Sequence, residues 1–193
     1  MEKNKVISFF DSLAECWDEN QIKNEEIVET ILNKAYIKKG SSVLDIACGT
    51  GVLFDNYYSR EVANLTGIDI SQNMINIARE KYPNAQLICG DAETYSFERK
   101  YDRAVIYNAF PHFENPSLLF SNLAKALSDG GRLTVAHGMS REAIEKCHRH
   151  KASHVSNPLP EAEKLAQIMS DKFCVDTIIS DDRMYIVSGI VNK

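Results

Sequence analysis

The stretch VLDIACGTG, residues 43–51, places an apolar run, one carboxylate (Asp45) and two glycines (Gly49, Gly51) in nine positions. It reads as a buried strand running into a glycine turn, where the backbone bends sharply and comes close to a ligand before a helix begins. Outward from it, short β-branched runs alternate with amphipathic ones: SVLDIA, VLFDNYYSREV, NLTGIDI, QNMINIAREKY, AQLICG. That is the βαβα signature of a parallel sheet covered by helices on both faces. The rhythm continues through a strand at 102–108, a helix from about Ser117 to Leu127, the turn SDGG and a strand at 132–137. FCVDTIIS and MYIVSGIV are separated only by DDR, too short a link for a parallel crossover, so they predict an antiparallel hairpin at one sheet edge.

The expectation is an α/β, Rossmann-like three-layer sandwich whose seven-stranded, mostly parallel sheet ends in that hairpin. A chain of 193 residues suits one domain, divided here into an N-terminal helical lid (1–40), a ligand-binding core (41–137), and acceptor-side helices with the hairpin (138–193). Phe9, Phe10, Leu13, Ala14 and Trp17 recur at helical spacing and predict one apolar-faced helix at the start. With 22 basic and 27 acidic side chains the charge is −5, so no global positive field exists to hold a nucleic acid. Five widely spaced cysteines without a Cys-x-x-Cys motif read as reduced thiols in a cytoplasm. No apolar run approaches the roughly 20 residues of a membrane span, and the opening lacks the long apolar stretch of a signal peptide.

In an open parallel sheet, ligands bind beyond the carboxyl ends of the strands. Asp45, Asp69 and Asp91 lie at or just past the ends of the first three strands, 24 and 22 residues apart, so all three should meet on one rim. Their charge decides between ligands. A phosphate about 4 Å from Asp45 would meet repulsion on the order of 4 kcal/mol at an effective dielectric of 20, and a cation would gain as much. Phe54 also occupies the third glycine position of a dinucleotide fingerprint. The ligand is therefore a phosphate-free nucleoside carrying positive charge, and S-adenosylmethionine fits, with Asp69 suited to paired ribose hydroxyls. Two alternatives belong to other classes: a non-catalytic protein sensing a nucleoside or a metal, and a nicotinamide-dependent oxidoreductase, which Asp45 and Phe54 disfavour.

VLDIACGTG, GIDIS (67–71) followed by Met74, GDAE (90–93) and LSDGGRLTV (127–135) together resemble the successive motifs of class I S-adenosylmethionine-dependent methyltransferases, of the small-molecule type found in quinone biosynthesis. The resemblance implies that Asp45, Gly49 and Gly51 surround the methionine portion of the donor. It also implies that Asp69 takes the ribose, that Ile70 and Met74 flank the adenine, that Asp91 reaches its amino group and Ala92 its ring nitrogen, and that Asn108 lines the methyl-donor pocket. Ala47 stands where the family often has glycine. In such enzymes a leading aromatic helix often folds over the donor, a role open to Phe9, Phe10 and Trp17.

Methyl transfer from a sulfonium expels a neutral thioether, so catalysis is mostly positioning, with a base needed only for a protonated nucleophile. NAFPHFENP after strand four does not match the Asn/Asp-Pro-Pro-aromatic motif of base-modifying relatives, which favours a small-molecule acceptor over nucleic acid. His112 in that stretch and His137 at the end of strand five are candidate bases. Arg141, Ile144 and His148 share one face of a helix capped by Ser140, and that face is expected to point into the pocket. Imidazoles from His112, His137 and His148 are of a type that binds a divalent metal, although a polar acceptor pocket without metal is the plainer reading. Cys147, His150 and His154 lie on another face beside Arg149 and Lys151, which reads as solvated.

Overall fold

The computed structural model describes residues 2–20 and 23–192, without the side chains of Asn20, His148, His150 and Lys151. In chain order the elements are α1 (Lys3–Leu13), α2 (Glu25–Lys34), β1 (Ser42–Ile46), α3 (Phe54–Ser59), β2 (Asn64–Asp69), α4 (Gln72–Lys81) and β3 (Gln86–Cys89). There follow β4 (Tyr101–Tyr107), α5 (Pro116–Ala126), β5 (Leu127–His137), α6 (Arg141–Lys151), α7 (Ala162–Met169), β6 (Phe173–Ser180) and β7 (Tyr185–Val191). Short polar side chains start several of the helices by accepting an otherwise unpaired backbone N–H. Asn24 accepts from Ile27, Ser71 from Met74, Asn115 from Leu118 and Ser140 from Ala143. Among the described residues no helix is long and apolar enough to cross a membrane.

The sheet order is β3-β2-β1-β4-β5-β7-β6. β1 pairs in parallel with β2 and β4, while β7 is antiparallel to both β5 and β6, so the expected seven-stranded sandwich and edge hairpin are present. Both faces are covered. Leu44, Ile46, Ile106, Leu133 and Val135 pack with Leu119, Leu123, Leu165 and Met169 of α5 and α7. Val43, Leu65 and Val105 on the opposite face pack with Val28 and Leu32 of α2, Phe54 and Tyr57 of α3, and Ile75 of α4. The chain leaves β1 toward β2 on one side and later returns to β4 on the other. That reversal opens a crevice beyond the tips of β1 and β4.

Two local expectations are corrected. The SDGG residues are not a turn ahead of a strand beginning at Arg132. Leu127 already pairs with Tyr101, pairing resumes between Arg132 and Arg103, and the residues between loop out as a bulge within β5. At the N-terminus the helix stops at Leu13, and turns of 3-10 type over Ala14–Cys16 and Asp18–Asn20 follow, so Trp17 lies beyond the helix that carries Phe9 and Phe10.

Candidate active site

The crevice leads into a cleft lined by the tips of β1 to β4 and by Lys3, Val6, Phe10 and Trp17 of the N-terminal segment. Asp45, in register with Gly67 of β2 and Val105 of β4, is 2 % exposed and lines the cleft. Burial, and after it the neighbouring Asp69, pushes its carboxyl well above the usual carboxylate range. No described residue gives it a hydrogen bond or ion pair. A buried carboxylate without a protein partner, facing a cavity, is a site for a cation.

Asp69 is differently placed. Its Oδ2 accepts the Gly49 N–H at 2.8 Å and its Oδ1 the Ser71 N–H at 2.9 Å, which ties the loop after β1 to the turn after β2. Burial raises its carboxyl, and those backbone N–H groups pull against the rise. Each oxygen keeps further acceptor capacity for a hydroxyl. Asp91, also in the lining, receives Lys3 Nζ at 2.6 Å, and buried Glu93 receives the same ammonium at 2.7 Å.

Glycines serve this rim through their backbone. Gly49 has φ +55, and Gly51 has φ +86, with a Cβ there falling 2.7 Å from the Tyr82 ring. Ala47 has φ +53, a left-handed conformation that a side chain resists, which explains why glycine suits the position. Asn108 shares that conformation, with φ +53, and its Oδ1 accepts the Gly138 N–H at 2.9 Å. Ala47, Gly49, Ile70, Met74, Ala92 and Asn108 all face the cleft. Gly51 does not line it and shapes the loop from behind.

The N-terminal segment is fastened across this rim. Asp11 accepts from Ser71 Oγ at 2.5 Å and the Asn73 N–H at 3.1 Å. Asp18 accepts from Thr50 Oγ1 at 2.5 Å and pairs with Lys81 at 2.7 Å. Phe10 packs edge-on against both Trp17 and His112, with ring centroids 5.6 and 4.9 Å apart.

The histidines separate. His112 lines the cleft, with its Nδ1 2.8 Å from the Val155 carbonyl and 3.2 Å from Ser156 Oγ. His137 is 1 % exposed, packs edge-on against Tyr185 and is absent from the cleft lining. The period of two along β5 sets it on the face of Leu133 and Val135, toward α7 rather than the pocket. Arg141 also stays outside the lining: its Nε donates to the Leu159 carbonyl and its Nη2 pairs with Glu145. Ile144 joins the main core, so the α6 face expected to point inward packs on the protein instead. The His148 side chain lies outside the described residues. Among the described residues no three histidine, cysteine, aspartate or glutamate side chains converge as a metal site. Lys3, Glu93 and Glu114 join the lining without having been read from sequence. Only Glu93 had a signal, inside GDAE.

The cleft thus combines a doubly wound sheet, a buried carboxylate at its switch-point rim and a second carboxylate one βα unit later. Residues 43–131 match the family model described as a methyltransferase domain. A ubiquinone/menaquinone biosynthesis C-methyltransferase of Campylobacter jejuni is 29% identical over 156 residues, covering 73% of this chain and 66% of that protein. A malonyl-[acyl-carrier protein] O-methyltransferase of Priestia megaterium is 28% identical over 176 residues, covering 82% and 64%. The chain thus spans just under two thirds of the length of these relatives. Among solved structures, the N-methyltransferase NodS from Bradyrhizobium japonicum in complex with S-adenosyl-L-homocysteine superposes with a TM-score of 0.75 at 15% identity over 100% of both chains. Magnesium protoporphyrin IX methyltransferase from Synechocystis, with the same molecule bound, gives 0.73 at 18% identity over 98% and 99%. Over residues 43–131 the chain thus matches a methyltransferase domain, and it shares its fold with methyltransferases solved with S-adenosyl-L-homocysteine bound.

Proposed function

We propose that this protein moves the sulfonium methyl group of S-adenosylmethionine directly to a small-molecule acceptor. The observation that carries this reading is Asp45, a buried carboxylate with no protein partner that faces the cleft. The donor supplies the missing positive charge. Asp69 receives the ribose hydroxyls, Ile70 and Met74 enclose the adenine, and Asp91 with the Ala92 backbone reads its edge. Residues 3–18 cover the donor and exclude water; α2, which packs against the sheet instead, takes no part in the lid. His112 serves as base where the acceptor arrives protonated. His137 and Arg141 act at most by supporting the wall. The relatives' quinone and acyl-carrier acceptors support transfer to a metabolite-sized group.

Isothermal titration with S-adenosylmethionine and with S-adenosyl-L-homocysteine tests the donor half. Micromolar binding that Asp45→Asn weakens about a hundredfold is expected; absence of binding by both ligands refutes it.

A further inference from the structure

Trp17 is the single tryptophan of the chain, and it meets the cleft where the loop after β1 turns. The point that a Cβ on Gly49 would occupy lies 3.7 Å from Trp17 Nε1 and 4.0 Å from Met74 Sδ. Neighbouring contacts hold the ring there. Asp18, the next residue, accepts from Thr50 Oγ1 beside Gly49 and pairs with Lys81 of α4, while Phe10 packs edge-on against the indole. The Nε1–H donates to none of the described residues. An indole nitrogen can only donate, so the ring brings one uncommitted donor to the rim around Gly49.

The methyl donor carries a charge that this rim otherwise leaves unmatched. Its amino acid bears an α-ammonium and an α-carboxylate on one carbon, so the carboxylate must lie close to wherever the ammonium is held. Around β1 and β2 the lining is acidic, with Asp45 and Asp69, and among the described residues it includes no arginine and one lysine. That lysine, Lys3, sits two strands away at the tip of β3, held by Asp91 and Glu93. A carboxylate that leaves water without gaining hydrogen bonds is costly to bury. A neutral N–H at the Gly49 turn meets that need.

Resting on the methyl-transfer reading above, we propose that the Trp17 Nε1–H donates to the α-carboxylate of the methyl donor, so that Trp17 selects a nucleoside with an intact amino acid over one that has lost its carboxyl group. The hydrogen bond is charge-assisted, because its acceptor is ionised. It also adds no cation beside the donor's own ammonium, as a lysine or arginine would. The carboxylate is the same before and after transfer, so this contact contributes to binding and not to the chemical step.

The test titrates the whole chain, as wild type and as Trp17→Phe, with three ligands in a calorimeter. S-adenosyl-L-homocysteine carries both charges, its decarboxylated analogue S-adenosyl-3-thiopropylamine keeps only the ammonium, and methylthioadenosine has neither. Wild type should bind S-adenosyl-L-homocysteine about tenfold more tightly than the decarboxylated analogue, as one charge-assisted hydrogen bond predicts. Trp17→Phe keeps a ring against Phe10 but loses the N–H. It should weaken S-adenosyl-L-homocysteine about tenfold and leave the other two ligands within about twofold, which also shows that the cleft is intact. Equal weakening of all three would make Trp17 a cover and not a donor, and so overturn the assignment. An unchanged affinity for S-adenosyl-L-homocysteine in Trp17→Phe, or a wild type that binds the decarboxylated analogue as tightly, would overturn it too. Failure of S-adenosyl-L-homocysteine to bind the wild type would overturn the methyltransferase reading instead.

Discussion

The half of the cleft proposed to take the donor is assembled from chain neighbours repeated at one βα unit, Asp45, Asp69 and Asp91, each at or just past a strand tip. The half proposed for the acceptor joins distant segments. His112 rests on Val155, 43 residues later, and on Phe10 of α1, while Lys3 reaches Asp91 across 88 residues. One half therefore inherits its precision from the sheet, and the other from how α1 and the loop after α6 happen to pack. Donor binding should respond sharply to single substitutions on the rim, and the acceptor half should respond to whatever loosens the N-terminal segment.

The strongest way to break that contrast is Asp45→Asn. Donor affinity should fall about a hundredfold, or about 2.7 kcal/mol, while the ligand-free protein becomes more stable. The sign follows from linkage. The native carboxyl titrates above its ordinary value of 3.8, so its stabilising contribution is complete below that value and is lost as pH rises through the native one. Thermal melts of the ligand-free wild type should accordingly fall in this window, and Asp45→Asn should flatten the slope. Donor binding should release protons there, read by titration in buffers of different ionisation enthalpy.

Gly51→Ala comes next. The left-handed φ and the Tyr82 ring at 2.7 Å from the new Cβ should cost about 2 kcal/mol, a drop in melting temperature of several degrees. Lys3→Met should weaken donor and acceptor binding only three- to tenfold, more at low salt than at high, because the ammonium is one-third exposed and solvent screens the pair. A loss as large as that of Asp45→Asn would mean that the N-terminal segment, not the strand rim, dominates donor recognition. The smallest effect is Ala47→Gly. Relief of φ +53 against added chain entropy should leave stability within about 1 kcal/mol and donor affinity unchanged, checked by melts and calorimetry.

What was legible in the sequence is what repeats locally. Strand periodicity, the cap at Ser140, and the acids at β1, β2 and β3 follow from neighbours in the chain, because a parallel sheet converts a regular βα spacing into one common rim. His137 shows the limit. Its place at a strand end was readable, but the period of two turns it toward Tyr185, and the same alternation from Leu133 and Val135 could have shown it. Arg141 was misread because a helical face has no direction until it is packed: Leu159 and Glu145 claimed the guanidinium. SDGG looked like a turn, since its residues are turn formers, yet the pairing of Leu127 with Tyr101 made it a bulge.

The amino-acid sequence by itself determined the layered sheet, the order of its βα units and the negative charge of the donor rim, all of which depend on short-range periodicity. Only the tertiary structure decided that Lys3 sits between Asp91 and Glu93, that His112 rather than His137 faces the cleft, and that Phe10, Trp17 and Glu114 share its wall. Contacts between segments far apart in the chain arise from packing, and no local pattern encodes them.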